Sequence, residues 1–213
     1  MELQHSYIHC NRAQLTGTVH QSPQPSHANH GRMFCRMVLS VPRLSGQCDL
    51  LPVLLPQPLA ESRTLDEGDS VTVTGQLRSY NNKSPDGPRL IISLLARTVT
   101  AAVTPPCNRI LLSGTVCKTP TLRRTPLGRE ICDVILAVNR RCGRADYLPC
   151  IAWGAVAQST AALQVGDSMA LEGRIQSRTY SKALPTGQSE ERTAYEVSVM
   201  RPAAPEEFFT DTF

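Results

Sequence analysis

Aromatic residues make up only 5% of this 213-residue sequence, with a single tryptophan, so each ring carries weight as a clue. No run of 18 apolar residues occurs, which argues against a membrane-spanning helix. The five histidines (His5, His9, His20, His27 and His30) all precede residue 31, and none of the eight cysteines forms a CxxC pair. His5, His9 and Cys10 come nearest to a metal cluster, but four ligands at finger spacing are lacking, so no metal is expected. No phosphate-cradling glycine loop or carboxylate constellation repeats in both copies, and no histidine matches a position in the second copy that also looks chemical. A nucleophilic cysteine needs a base beside it. The expectation is a protein that is not an enzyme and needs no cofactor. The opening residues MELQHSYIHCNR show no basic-then-apolar secretory pattern, which points to the cytoplasm and reduced cysteines.

What the sequence does contain is a duplication. Asn11, Gly17, Gly31, Val41, Arg43, Asp49 and Pro52 recur as Asn108, Gly114, Gly128, Val138, Arg140, Asp146 and Pro149, each pair 97 positions apart. Later matches, Gly68 with Gly166 and Gly75 with Gly173, are 98 apart, so one residue was gained between the two sets. The chain therefore divides into residues 1–103, residues 104–202 and a tail, 203–213, with Pro105-Pro106 in the linker.

Each copy predicts the same element order. In the first, alternating strands are expected at 12–19, 32–41, 49–55, 70–80 and 89–99. HQSPQPSHANHG, with its prolines, reads as a loop after the first strand. PQPLAESRTL allows a turn of helix at most, because of its prolines. In the second copy, strands are expected at 109–117, 129–139, 146–153, 168–180 and 192–200, with a short helix in the alanine-rich 154–163. Cys35 and Cys132, equivalent strand positions, are expected to be buried. Glycines inside the first and fourth strands suggest bulges or bends. Three strands, a crossover and a two-stranded hairpin is the order of the OB-fold. An immunoglobulin-like sandwich would need about seven strands. The fold class expected is all-β: two tandem OB-fold five-stranded Greek-key barrels, with a short helix in the second.

Charge is unevenly placed. Residues 1–106 carry +2, residues 107–202 carry +5 and the tail −3. A basic body suits a polyanion. The second copy joins that charge to rings: Tyr147 opens its third strand, Trp153 ends it, and Tyr180 ends its fourth. Tyr147 and Trp153 are six apart and so share a strand face. Around them are Arg123 and Arg124 in the first loop, Arg129 opening the second strand, and Arg140, Arg141 and Arg144 in the turn before Tyr147. Arg174 and Arg178 lie on the fourth strand, and Lys182 starts the following loop. Stacking rings with phosphate-pairing arginines describe a single-strand nucleic-acid surface. The competing reading puts the rings in the core and the arginines on a solvated rim. In the first copy Leu50 stands opposite Tyr147 and Asn82 opposite Tyr180, leaving Tyr80, Phe34 and scattered arginines, so the second copy is expected to supply most of the affinity.

These residues resemble the bacterial single-stranded DNA-binding protein family. The likeness rests on Asn108, Gly114, the block Asp146-Tyr147-Leu148-Pro149-Cys150-Ile151-Ala152-Trp153-Gly154, Gly166-Asp167, Glu172-Gly173-Arg174, Ser177-Arg178 and Tyr195-Glu196-Val197. RTPLGREICD, LAVNRR and SYNNKS are similar to a tandem two-barrel version from clostridia-type bacteria. The resemblance implies base stacking at Tyr147, Trp153 and Tyr180, and sequence-independent binding of single-stranded DNA in replication, recombination or repair. It implies four barrels per assembly, hence a homodimer. It also implies that the acidic, aromatic tail (Glu206, Glu207, Phe208, Phe209, Asp211 and Phe213) docks replication or repair enzymes. The alternative is an OB-fold accessory protein that binds a replication or conjugation partner, or RNA.

Overall fold

The computed structural model describes residues 10–82, 89–183 and 189–204. In the first copy β1 (Cys10–Asn29), β2 (Arg32–Pro42) and β3 (Cys48–Pro56) lead through the one-turn helix α1 (Gln57–Glu61) to β4 (Ser70–Asn81) and β5 (Leu90–Ala101). The second copy runs β6 (Cys107–Arg124), β7 (Glu130–Asn139), β8 (Ala145–Trp153), α2 (Ala155–Ala161), β9 (Ser168–Ala183) and β10 (Ser189–Pro202). Neither helix among the described residues is long and apolar enough to cross a membrane.

The strands form because apolar and polar residues alternate, which places one set of side chains on each face. In the first copy β1 pairs antiparallel with β2 and β4, β2 with β3, and β4 with β5. A short parallel ladder, Val53 with Leu94 and Leu54 with Leu95, joins β3 to β5 and closes the ring. The second copy repeats this through β6–β7, β6–β9, β7–β8 and a parallel β8–β10 ladder at Cys150–Val197 and Ile151–Ser198. Each ring is a five-stranded OB barrel. Leu15, Met37, Leu39, Leu51, Leu55, Leu77 and Leu94 fill the first, and Ile110, Leu112, Leu136, Leu148 and Leu171 fill the second.

Two compact units result. One comprises Arg12–Arg109 with Ile175–Glu196; the other comprises Ile110–Arg174 with Cys10, Asn11 and the strand residues from Val197.

The interior glycines are where strands cross most tightly. A Cβ on Gly17 would lie 2.3 Å from the Ser40 carbonyl oxygen, and one on Gly75 would lie 2.1 Å from that of Leu95. The β4–β5 register also shifts between Thr74 and Gly75, a bulge at the bend that the glycine allows.

Three expectations need correction. The segment read as a loop, HQSPQPSHANHG, is mostly strand: β1 runs on to Asn29 and pairs with β2 across a two-residue turn. Its prolines are tolerated because the register slips between Val19 and Gln21, between Gln21 and Gln24, and between Pro25 and His27, so a missing N–H falls where the ladder is already broken. The turn residues His30 (φ 48°) and Gly31 (φ 74°) both take positive φ, as a tight hairpin of this length demands. By the same extension Arg123 and Arg124 lie at the end of β6 rather than in a loop, and Lys182 lies on β9. Finally, Cys132 is buried but Cys35 is only half-buried. Cys35 sits opposite Pro25 in the outer part of the hairpin, ahead of the alternating core positions Met37, Leu39 and Val41.

Candidate nucleic-acid interface

The alternation of β8 sets the candidate surface. Asp146, Leu148, Cys150 and Ala152 point inward and are buried, while Tyr147 is 52% exposed and Trp153 37% exposed. Both rings therefore stand on the outer face of one strand, six residues or roughly 20 Å apart. Opposite them on β7, Ala137 pairs with Tyr147 and Ile131 with Trp153. The tryptophan does not fill the barrel. Its ring is held at the rim, where Nε1 donates to Ser198 Oγ at 3.2 Å. Tyr180, on β9, is half-buried, and the Arg178 guanidinium lies over its ring at 5.6 Å from the centroid, a cation–π arrangement.

The basic residues fall into two groups. Arg123 forks onto Asp133, with Nε and Nη2 donating to the two carboxylate oxygens at 2.5 and 3.1 Å. Arg124 pairs with Glu130 at 3.0 Å, and the Gln158 amide donates to the same carboxylate at 2.7 Å. These contacts hold the Glu130 carboxyl below the usual range. Arg140 is bound through Nε (2.8 Å) and Nη2 to both oxygens of Asp146, a fully buried carboxylate, so this arginine braces the turn. The other group has no strong acid partner. Arg129, Arg141, Arg144 and Lys182 are exposed, with no ion pair among the described residues. Arg178 only approaches Glu196, at 3.9 Å. Arg174 is half-buried and its Nε has no hydrogen-bond partner. Cross-strand neutralisation by Asp133 and Glu130 is what sequence reasoning missed; the register of β6 against β7 was the missing signal.

The Arg140–Asp146 pair has its repeat equivalent in Arg43–Asp49, where Nε and Nη2 of Arg43 donate to the two Asp49 oxygens at 2.8 and 2.6 Å. Asp49 also accepts from the Ser177 backbone N–H (2.7 Å) and hydroxyl (2.8 Å). Burial pushes the Asp49 carboxyl up, but Arg43 and the two Ser177 donors together outweigh it and hold it below the usual range. In the first copy Leu50 is exposed where Tyr147 stands in the second, and Tyr80 is half-exposed. Among the described residues no cluster of histidine, cysteine or carboxylate could hold a metal. The tail residues Glu206, Glu207, Phe208, Phe209, Asp211 and Phe213 lie outside the described residues.

A profile of the single-strand binding protein family matches residues 107–202. The Single-stranded DNA-binding protein of Clostridium tetani is 39% identical over 80 residues, 34% of this chain and 55% of that one. Single-stranded DNA-binding protein B of Bacillus subtilis is also 39% identical over 80 residues, covering 34% of this chain and 71% of the relative. The chain spans about half the length of most curated relatives it matches. Among solved structures, the wild-type single-stranded DNA binding protein from Thermus aquaticus superposes with a TM-score of 0.73 at 22% identity. The superposition covers 92% of this chain and 93% of the other, a likeness of fold. On the profile, the Bacillus subtilis relative and the barrel architecture together, the chain belongs to the single-strand binding protein family.

Proposed function

We propose that this chain binds single-stranded DNA largely without regard to sequence, by stacking bases on Tyr147, Trp153 and Tyr180 and neutralising phosphates with Arg129, Arg141, Arg144, Arg174, Arg178 and Lys182. The observation that carries it is the pairing of two exposed rings on the outer face of β8 with arginines in the adjoining turn that have no acid partner among the described residues. A stacked base gains about 1–3 kcal/mol on such a ring, whatever its identity. Arg123, Arg124 and Arg140 are assigned a lesser part, since each is already engaged by a carboxylate. The role is protection of exposed strands in replication, recombination or repair, without catalysis. A homodimer of four barrels, and docking of repair or replication enzymes by the tail, complete the reading.

Trp153, the sole tryptophan, provides the test. Its emission is to be followed while oligo-dT, the same length of duplex, and oligo-U are added. Quenching by oligo-dT and not by duplex is the expected result. Binding without quenching would move the site away from Trp153. A preference for oligo-U over oligo-dT would favour the RNA-binding alternative.

A further inference from the structure

We propose that the first copy carries its own nucleobase-stacking platform, made by His27 on Phe34 and flanked by Arg32 and Arg36, on the outer face of the β1–β2 hairpin. His27 and Phe34 are cross-strand partners, and their rings stack with centroids 5.3 Å apart and planes within 14°. Ser26 Oγ hydrogen-bonds His27 Nδ1 at 3.0 Å and fixes the ring orientation. On β2, Arg32, Phe34 and Arg36 alternate and so share one face, with each arginine about 7 Å along the strand from the ring. Both arginines are exposed and make no ion pair among the described residues. Beside them lies a shallow recess of about 410 Å³ lined by Gln21, Gln24, Pro25, Ser26 and Arg36. Gln24 pairs across the ladder with Arg36 and brings an amide to the same face.

The repeat supplies the contrast. The equivalents of Arg32, Phe34 and Arg36 in the second copy are Arg129, Ile131 and Asp133. There the ring is replaced by a buried isoleucine, and the last arginine by an acid that Arg123 neutralises. A cross-strand stack that served only to staple the hairpin would not need a cation on each side. Ring, two exposed guanidiniums and a polar recess on one face match a base with its two flanking phosphates. The two copies thus divide the work differently: the second stacks on its third strand, the first on its hairpin.

This inference rests on the reading of the chain as a single-strand binder, and the test separates the two. In the full chain carrying Trp153→Phe, the substitution Phe34→Trp places the only indole in the hairpin platform. Oligo-dT binding is followed in parallel by anisotropy of a labelled oligonucleotide. Quenching of the hairpin indole by oligo-dT, and not by duplex, is expected. Arg36→Gln, an exposed position that the fold tolerates, should lower the slope of log K against log salt by about 0.7. His27→Ala with Phe34→Ala should weaken long-oligonucleotide binding by about 5- to 150-fold. Anisotropy that reports binding while the hairpin indole and the salt slope stay unchanged would overturn the platform and leave the second-copy site standing. Failure of the unmodified chain to bind oligo-dT would remove both.

Discussion

Trp153 donates its indole N–H to Ser198 Oγ, which ties an exposed ring on β8 to a buried hydroxyl on β10. The bond sets how the ring presents itself without burying it. Replacing Ser198 by alanine should therefore cost about 1 kcal/mol of stability and shift the emission of Trp153, because the indole loses a fixed partner. Oligo-dT affinity should fall less than with Trp153→Ala, which removes the stacking surface itself and should cost about 1–3 kcal/mol. Thermal melts and fluorescence titrations of both variants are the check; equal losses of affinity would mean that the ring contributes nothing once its bond to Ser198 is lost.

The division of arginines into engaged and free predicts an ordering. Arg141→Gln and Arg144→Gln should each reduce the salt slope of oligo-dT binding by about 0.7. Arg123→Gln should reduce it much less, since Asp133 already holds that guanidinium. Asp133→Asn should raise affinity, because it releases Arg123 for the ligand. Slopes measured by anisotropy over a range of salt decide it, and three equal slopes would dissolve the distinction.

Asp49 makes stability depend on pH. Its carboxyl lies below the ordinary value when folded, so it contributes stability above about pH 4, the unfolded value, and loses it as pH falls through the folded one. Asp49→Asn should lower stability by about 2–3 kcal/mol at pH 7, through the weakened bonds to Arg43 and Ser177. The gap between the two proteins should narrow as pH drops from about 4 towards 2. A gap that is constant across this range would rule out the carboxylate as its source.

Gly75→Ala tests the tightness of the bend in β4. The added methyl would meet the Leu95 carbonyl oxygen at 2.1 Å, an obstacle of backbone rather than of a movable side chain. A loss of about 1–3 kcal/mol is expected, measured by chemical denaturation. A neutral result would mean that the β4–β5 bulge can relax.

Much of this was legible because two copies were printed in one sequence. The 97-residue spacing located the strands in both, and alternation placed Tyr147 and Trp153 on one face. Whether that face was inside or outside was not legible, since alternation names two faces and labels neither. Pro23 and Pro25 misled, because their meaning depends on bulges that only the register with β2 reveals. The engaged arginines misled for a related reason. Arg123 and Asp133 are ten positions apart, and only antiparallel pairing brings them together. The importance of Phe34 was understated too, as its partner His27 lay in a segment expected to be a loop.

The closing ladders of the barrels imply an order of folding. Val53 meets Leu94, and Cys150 meets Val197, at separations of 41 and 47 residues. The hairpins β1–β2 and β6–β7 close across far shorter spans. Loop-closure entropy rises with span, so the local hairpins form first, the parallel seams later, and the β1–β4 and β6–β9 ladders, whose partners lie 52 to 63 residues apart, last. Refolding should accordingly run on a timescale of milliseconds to seconds. The aromatic hairpin of the first copy would exist before its barrel does.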